Sequence, residues 1–597
     1  MATISPDDID WVVTDVLPPA GRQCPACGSK TPAQPILRVP ALVPPHVLLT
    51  LLRCVNCQSV FYDPPEIRDF SELDQNREEF WRLYVEALGG VWETIWPIIA
   101  GAEQGSLLDV GCGFGFSLDF WQCTGRGEAI GVELSEYGLV GARQLGLTIY
   151  DELLQQCAPL SGRKFDVVYA SEVIEHVADP GNFAKLLSGY VADDGVLILT
   201  TPSAEFITKD NHSTTLLAAL SPGFHGFLLS HEAFARVAKD AGFTHVEAQT
   251  FNERQILWAS RVPMRLTLNH ATLRVSLFRF LESRMATVGL EPVIWQGYAY
   301  RYLRDLVNTG QSADARRVAA LLSESIVRSH GEIALDPNRL VPKLATATTL
   351  AEVGRIAPFF VASFYYLLGE IARQWERDVA KAKLYFDGAC AAIEACSRIG
   401  SMYFLEAVSL LWPARTKGAM LDLAAGNHAS STAMLRRLAE FGDQCSSADA
   451  YALADPSLVE SCVPMAAEFL AGRGMWREAI ALSDAYRSYV RRHYGEEMLT
   501  AVGIAAALAE SNKRMPMDAL FPLWFEGMRD SAEAGGHAPD SAALQAIVKI
   551  GREFSHHPRQ GARLRKLAFR AGRLCANSMQ PIWSSRVSYT LPKGGPR

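Results

Sequence analysis

Three groups of residues in this chain have types and spacings that could do chemistry. Cys24-Pro25-Ala26-Cys27 and Cys54-Val55-Asn56-Cys57 are two C-x-x-C pairs with 26 residues between them. Each pair lets two thiolates converge on one ion, and four thiolates close a tetrahedral zinc site with no open position, so its role is structural. The second group is Glu172, Glu175 and His176. If residues 172–177 open a helix, these three share an arc of about 100°, with Val173, Ile174 and Val177 turned to a sheet. Carboxylates and an imidazole pointing together serve either as proton-transfer groups or as ligands for a hard divalent cation. The third group is Leu107-Leu108-Asp109-Val110-Gly111-Cys112-Gly113-Phe114-Gly115. An apolar run ending in an acid and opening onto alternate glycines reads as a buried parallel strand turning into a helix, with N–H groups left for a ligand. Phe116 stands where the dinucleotide fingerprint needs its third glycine, which excludes that fingerprint.

Positioning these groups requires a βαβ sheet. Candidate strands are 106–110, 129–133, 147–150, 165–170 and 196–200, with a later pair near 244–250 and 256–259, separated by amphipathic stretches. Ahead of them, Phe61-Tyr62-Asp63-Pro64-Pro65 reads as a rigid exit from the cysteine module. Residues 78–99 then carry Phe80, Trp81, Leu83, Tyr84, Trp92, Ile95 and Trp96 at helical spacing. Beyond about residue 260, Ala, Leu, Arg and Glu take over and β-branched runs vanish, so a helical region is expected to about residue 575. Within it, 310–331 and 474–495 align Ala315 with Ala479, Val318 with Leu482 and Arg328 with Arg492. This weak repeat is compatible with tetratricopeptide-type hairpins or with a generic bundle. The expected fold is therefore a multidomain α/β plus α chain: tail 1–19, zinc ribbon 20–65, sheet domain 66–260, helical domain 261–575 and basic tail 576–597.

The stretch Ser106 to Ala259 resembles class I S-adenosylmethionine-dependent methyltransferases. The resemblance rests on the glycine bend, on Glu133 closing the second strand, and on the run Phe165-Asp166-Val167-Val168-Tyr169-Ala170-Ser171-Glu172-Val173-Ile174-Glu175-His176-Val177. It implies that Gly111, Gly113 and Gly115 pass close to the amino-acid part of the cofactor and that Asp109 reaches the same region. Glu133 would accept both ribose hydroxyls, and Asp151 would meet the adenine. The ribbon of form CPxCG…CxxC ahead of such a domain is similar to bacterial methyltransferases of sugar and surface-polysaccharide pathways, which implies a sugar, nucleotide-sugar or glycan hydroxyl as acceptor. Sugar C-methyltransferases share the ribbon but carry a further α/β unit where this chain is helical. Together with Phe224-His225-Gly226-Phe227, the acidic run is also similar to the magnesium site of methyltransferases of the small-RNA 3′-terminal ribose, and ubiquinone-pathway O-methyltransferases share its first part. That likeness implies Glu172, Glu175, His176 and His225 as ligands for Mg²⁺ or Mn²⁺. The alternative is catalysis by His176, His225 or Glu172 without a metal. His231 would sit on the surface or cap the next helix.

Composition bounds the remaining choices. With 49% hydrophobic and 20% charged residues, a formal charge of −8 and no long apolar run, the 597-residue chain reads as a soluble globular protein of two to four domains. The start, Met1–Asp8, lacks the basic and apolar regions of a signal peptide, and scattered cysteines fit a reducing cytoplasm. Acidity argues against nucleic acid as the partner, which weighs against an RNA ribose methyltransferase. From Gly551 onward, however, ten Lys or Arg face the single acid Glu553. The helical region could grip substrate, self-associate or dock a protein partner. An inert interaction protein is the reading from another class, and intact Asp109, Gly111, Gly113, Gly115 and Glu133 argue against it. Leu421–Asn427 imitates a second cofactor bend but reads as a helix end at Gly426.

Overall fold

The computed structural model describes residues 8–12, 23–31, 33–42, 46–65, 78–209, 211, 213–251, 253–442 and 454–494. They divide into two compact units, 8–361 with 395–406, and 362–394 with 407–494. The stretch read as one helical domain from residue 261 is therefore shared between the two.

In chain order the first strands are β1 (Asp10–Trp11), β2 (Gln34–Pro40), β3 (Leu48–Arg53) and β4 (Val60–Asp63). They are followed by β5 (Leu107–Val110), β6 (Ala129–Val132), β7 (Thr148–Tyr150), β8 (Phe165–Ser171) and β9 (Val191–Pro202). The last are β10 (Phe227–Leu228), β11 (His245–Phe251) and β12 (Arg254–Ser260). Seven of these form one sheet in the order β11-β12-β9-β8-β5-β6-β7. The strands from β7 to β9 run parallel, and β12 is antiparallel to both β9 and β11. Every residue of β5 and β6 is buried, as strands covered on both faces must be. The chain runs outward through β5, β6 and β7 and then returns to β8, so the order reverses between β5 and β8. At such a reversal, beyond the carboxyl ends of the strands, open parallel sheets bind their ligands. β9 is longer than the run 196–200 suggested. It begins at Val191, and its pairing with β8 jumps from Phe165–Val191 to Val167–Val196, leaving Asp193 and Asp194 exposed in a bulge.

The other sheet, β1-β2-β3-β4-β10, is antiparallel and merges the cysteine module with the larger domain. Its outer strand β10 comes from the chain after β9 and pairs Phe227 with Phe61 and Leu228 with Val60. Leu37, Val39, Leu51 and Tyr62 share one apolar core with Ile207, Leu216, Leu217 and Leu220. The ribbon is thus a wing of the methyltransferase-like domain, built on its core.

Two expectations about helices change. Residues 78–101 form helix Glu78–Leu83, a π-helical turn Tyr84–Leu88 and, after Gly89-Gly90, helix Val91–Gly101. Residues 172–177 do not open a helix. Glu172 has φ of +55°, Ile174–His176 is a single 3-10 turn, and the helix starts only at Pro180 behind the capping Asp179. Asp-Pro is a stronger start signal than anything upstream, and the Glu175 carbonyl is occupied by the Gly226 N–H at 2.8 Å.

The helices His270–Met285, Pro292–Asn308 and Ser312–His330 lie in the first unit. The second unit packs helices including Leu411–Ala425, His428–Phe441, Pro456–Gly472 and Trp476–Tyr494. The two similar segments both give 19-residue helices behind a left-handed glycine, with Ala315, Val318, Ala479 and Leu482 fully buried. That likeness is local and does not by itself make a repeat. Gly426, with φ of +91°, ends a helix as its sequence indicated. The tail 1–19 is described only at 8–12, and the basic tail lies outside the described residues. Among those described, no helix is long and apolar enough to cross a membrane.

Candidate functional site

The bend after β5 holds the first set of residues. Gly111, Gly113 and Gly115 all have positive φ, so the whole turn depends on residues free to enter the left-handed region. A Cβ on Gly115 would lie 2.6 Å from Leu147 and one on Gly111 2.5 Å from Val173, so those two are required by packing. Gly113 is less crowded: a Cβ there would stand 3.2 Å from the Tyr84 hydroxyl and 3.5 Å from the Tyr137 ring. Asp109 stands at the floor of this bend, almost fully buried. Ser117 donates to its Oδ2, while Oδ1 has no hydrogen-bond partner. Burial pushes its carboxyl up to about 7. Glu133, the first residue past β6, accepts from Gly113 N–H at 2.8 Å and Ser135 N–H at 2.9 Å. Asp151 follows β7 and is exposed. An orphaned buried carboxylate oxygen beside a side-chain-free bend fits a cationic nucleoside, so the residues suit S-adenosylmethionine.

Beyond the ends of β8 and β9 the structure gathers Glu175, His176 and His225, each with one ligand atom within 4.8 Å of the others. His176 Nδ1 lies 3.0 Å from the Phe224 carbonyl and His225 Nδ1 2.8 Å from the Ala219 carbonyl. Carbonyl oxygens only accept, so both Nδ1 atoms carry the proton and both Nε2 atoms are unprotonated. Burial holds His176 down to about 4 and His225 well below its usual value. Glu175 Oε2 accepts from Thr201 at 2.9 Å, whereas Oε1 is buried with no hydrogen-bond partner, 4.0 Å from His225 Nε2. Burial, with Glu172 nearby, raises the Glu175 carboxyl well above the ordinary range. A carboxylate oxygen without a donor beside two unprotonated nitrogens is the donor set of a divalent cation.

Glu172 does not join this group. It pairs with Arg254 Nε at 3.1 Å and accepts from Thr200 at 2.8 Å, because its left-handed backbone turns the side chain toward β12. The four-residue set expected from sequence is thus three residues plus a separate ion pair. His231 is the exposed first residue of helix His231–Asp240, and Ser230 is the cap.

The four cysteines do converge. Cys24 and Cys57 sulfurs are 3.7 Å apart, as are those of Cys27 and Cys54. With Zn–S bonds of about 2.3 Å, a tetrahedron has edges of about 3.8 Å, so the thiolates stand at the spacing a zinc ion sets. Both knuckles close in the same way: Gly28 N–H donates to Cys24 O and Gln58 N–H to Cys54 O, each at 2.9 Å and each with positive φ.

Sequence reasoning missed Arg254, Thr200, Thr201 and Tyr84. Arg254 opens β12 and reaches Glu172 only because β12 inserts antiparallel beside β9, opposite Pro202. No local pattern marks it. Thr200-Thr201-Pro202 was legible as the end of a strand, and two hydroxyls at a strand's carboxyl end are a usable signal.

A family model described as "Methyltransferase domain" matches residues 48–248. The ubiquinone biosynthesis O-methyltransferase of Ruegeria sp. (strain TM1040) is 29% identical over 178 residues, 28% of this chain and 71% of that protein. The protein of the same name from Thiobacillus denitrificans is 29% identical over 210 residues, 32% of this chain and 88% of that protein. Among solved structures, an O-methyltransferase family protein from Burkholderia thailandensis superposes with a TM-score of 0.24 at 16% identity, over 31% of this chain and 57% of that one. The chain spans a little over half of that structure. The chain thus carries a methyltransferase domain with the bend between its reversing strands intact, and it is an S-adenosylmethionine-dependent methyltransferase.

Proposed function

We propose that this enzyme methylates a hydroxyl oxygen and that Glu175, His176 and His225 hold a divalent cation at the acceptor side of the site. The observation that carries the reading is the cluster itself, with its buried Glu175 Oε1 lacking a donor and its imidazoles locked through Nδ1 onto carbonyls. A bound Mg²⁺, Mn²⁺ or Zn²⁺ supplies Lewis acidity that lowers the pKa of a coordinated hydroxyl. The transfer is an in-line displacement: the acceptor hydroxyl gives its proton to solvent, its oxygen bonds to the methyl carbon, the carbon–sulfur bond breaks, and the sulfonium becomes a neutral thioether. Asp109, Glu133 and the glycine bend bind and orient the donor, so alignment contributes most of what the chain must supply. Imidazoles whose proton affinity is depressed by burial are poor general bases near neutral pH, which favours ligand roles for both over catalysis by proton abstraction.

For the acceptor, a sugar, nucleotide-sugar or glycan hydroxyl is the reading supported by the ribbon placed ahead of the domain. A phenolic acceptor is the second reading, favoured by the relatives' names. Both are tested by incubation with methyl-labelled donor and a panel of nucleotide-sugars, polysaccharide, catechol and RNA, with chelator and with Mg²⁺ or Mn²⁺ added back. Fragmentation of the product separates a methyl ether from a C-methyl group. Full turnover in chelator, together with full turnover by His225→Ala, would remove the metal.

A further inference from the structure

We infer that Arg301, in the helical extension outside the methyltransferase family match, is a positioning residue of the cofactor site that holds the turn carrying Tyr84 against the glycine bend. Arg301 lies on helix Pro292–Asn308, 3% exposed. All five of its hydrogen bonds end on backbone carbonyls rather than carboxylates. Nη2 reaches Gly89 O at 2.6 Å and Tyr84 O at 3.4 Å, Nε reaches Gly89 O at 3.2 Å, and Nη1 reaches Gly297 O at 3.0 Å and Val85 O. Three of those residues, Tyr84, Val85 and Gly89, belong to the π-helical turn and its end. The Gly89 N–H closes the π turn on Tyr84 O at 2.7 Å, and π turns occur frequently at functional sites. A buried guanidinium adds its donors to the carbonyls of this turn, although burial disfavours its charge.

The same helix is shaped for this contact one turn earlier. A Cβ on Gly297 would come within 2.5 Å of the Val85 carbonyl, so only glycine lets the helix approach. Gly297 and Arg301, four apart, therefore present one face to the turn. The far side of the turn is gripped as well: Glu86 accepts from the Phe359 N–H at 2.6 Å, and Arg82 donates to Gly354 O at 3.1 Å. What the turn presents to the site is Tyr84. Its ring stacks on Phe116 at 5.8 Å and lies 5.1 Å from Tyr137, and its hydroxyl lies against Gly113 of the bend, 3.2 Å from where a Cβ would stand. The Arg301 guanidinium covers the opposite partner of that stack, 5.5 Å above Phe116. The family match ends at residue 248, yet the turn that carries Tyr84 is braced by Gly297 and Arg301, which lie beyond it. On this proposal cofactor affinity depends on the helical extension, whatever the acceptor.

The test is calorimetric titration of the full chain with S-adenosylmethionine, for wild type, Arg301→Met, Tyr84→Phe and the double variant, alongside melting curves. Arg301→Met should weaken binding about tenfold, the loss expected when one buried hydrogen bond to a ligand goes astray. Tyr84→Phe should weaken it to a similar extent, and the double variant should be no weaker than the worse single. Wild-type affinity in Arg301→Met, or effects that multiply in the double variant, would overturn the proposal, since a purely structural role lowers the melting temperature without moving Kd. Should Arg301→Met fail to fold, Arg301→Lys keeps the charge and loses the fork, and the same comparison with Tyr84→Phe applies.

Discussion

Burial of Asp109 sets the pH response of donor binding. Its carboxyl, pushed up to about 7, must ionise to meet a cationic ligand, so affinity should rise with pH and level off above about 7. Between pH 8 and pH 6 the loss should be about tenfold, with proton release on binding at pH 6. Calorimetry in buffers of different ionisation enthalpy reads both, and Asp109→Asn should abolish the slope. The sign for folding is opposite. A raised carboxyl stabilises the fold below its unfolded value, and that contribution is lost as pH climbs through 7. If Glu175, His176 and His225 hold the proposed cation, Glu175→Gln should lower Mn²⁺ affinity by more than ~100-fold, beyond the ~10–100-fold typical of groups that only support a ligand. Glu172→Gln should leave it within a few-fold, because Glu172 is engaged by Arg254. Paramagnetic resonance of Mn²⁺ distinguishes them, and equal losses in both variants would contradict the three-ligand set.

At the scale of elements, the ribbon is a clamp on the loop that bears His225. Tyr62 N–H donates to Gly226 O at 3.2 Å, Tyr62 hydroxyl to Leu220 O at 3.1 Å, and Ser230 N–H to Ser59 Oγ at 3.0 Å. Ser230 also donates its hydroxyl to the carbonyl of Cys57, one of the four thiolate residues. A mercurial that takes the four clustered cysteine sulfurs should therefore strip hydrogen-exchange protection from residues 220–230 while β5 and β6 stay protected. Uniform loss across the domain, or none at 220–230, would refute the clamp. Strands and knuckles were legible because they are local: β5 and β6 are short, buried and mostly apolar runs, and C-x-x-C fixes two ligands within one turn. β10 was illegible because two residues, Phe227 and Leu228, become a strand only through their pairing with β4.

At the scale of the whole molecule, the described chain carries a second hydrophobic core in residues 362–394 and 407–494. Trp412, Tyr365 and Phe386 are fully buried there, around a charged network in which Lys417 Nζ meets Glu370 Oε1 at 2.9 Å and Arg373 meets Oε2 at 2.8 Å. Burial opposes the Glu370 charge, but Lys417 and Arg373 outweigh it and hold the carboxyl near 2. This unit should accordingly keep the contribution of Glu370 above about pH 4.5 and lose it as pH falls toward 2. Lys417→Met should destabilise the unit by about 3 kcal/mol, since removing one partner strands a buried charge. Denaturant unfolding at pH 7 and pH 3 measures both. A Lys417→Met protein as stable as wild type would show that the network contributes nothing net.

The sequence by itself determined what depends on near neighbours. The glycine bend, Asp109 within β5 and Glu133 after β6, the two knuckles and the alternation of strands and helices follow from backbone freedom, ligand spacing and apolar periodicity within a few residues. Only the tertiary structure decided what depends on distant partners. Glu172 turned from the imidazoles to Arg254 because β12 inserts beside β9, and His225 arrived through a loop pinned by the ribbon. Arg301 reached the π turn from more than two hundred residues away. A side chain's direction is set by whichever partner reaches it, and those partners lie far off in sequence, where local periodicity has no purchase.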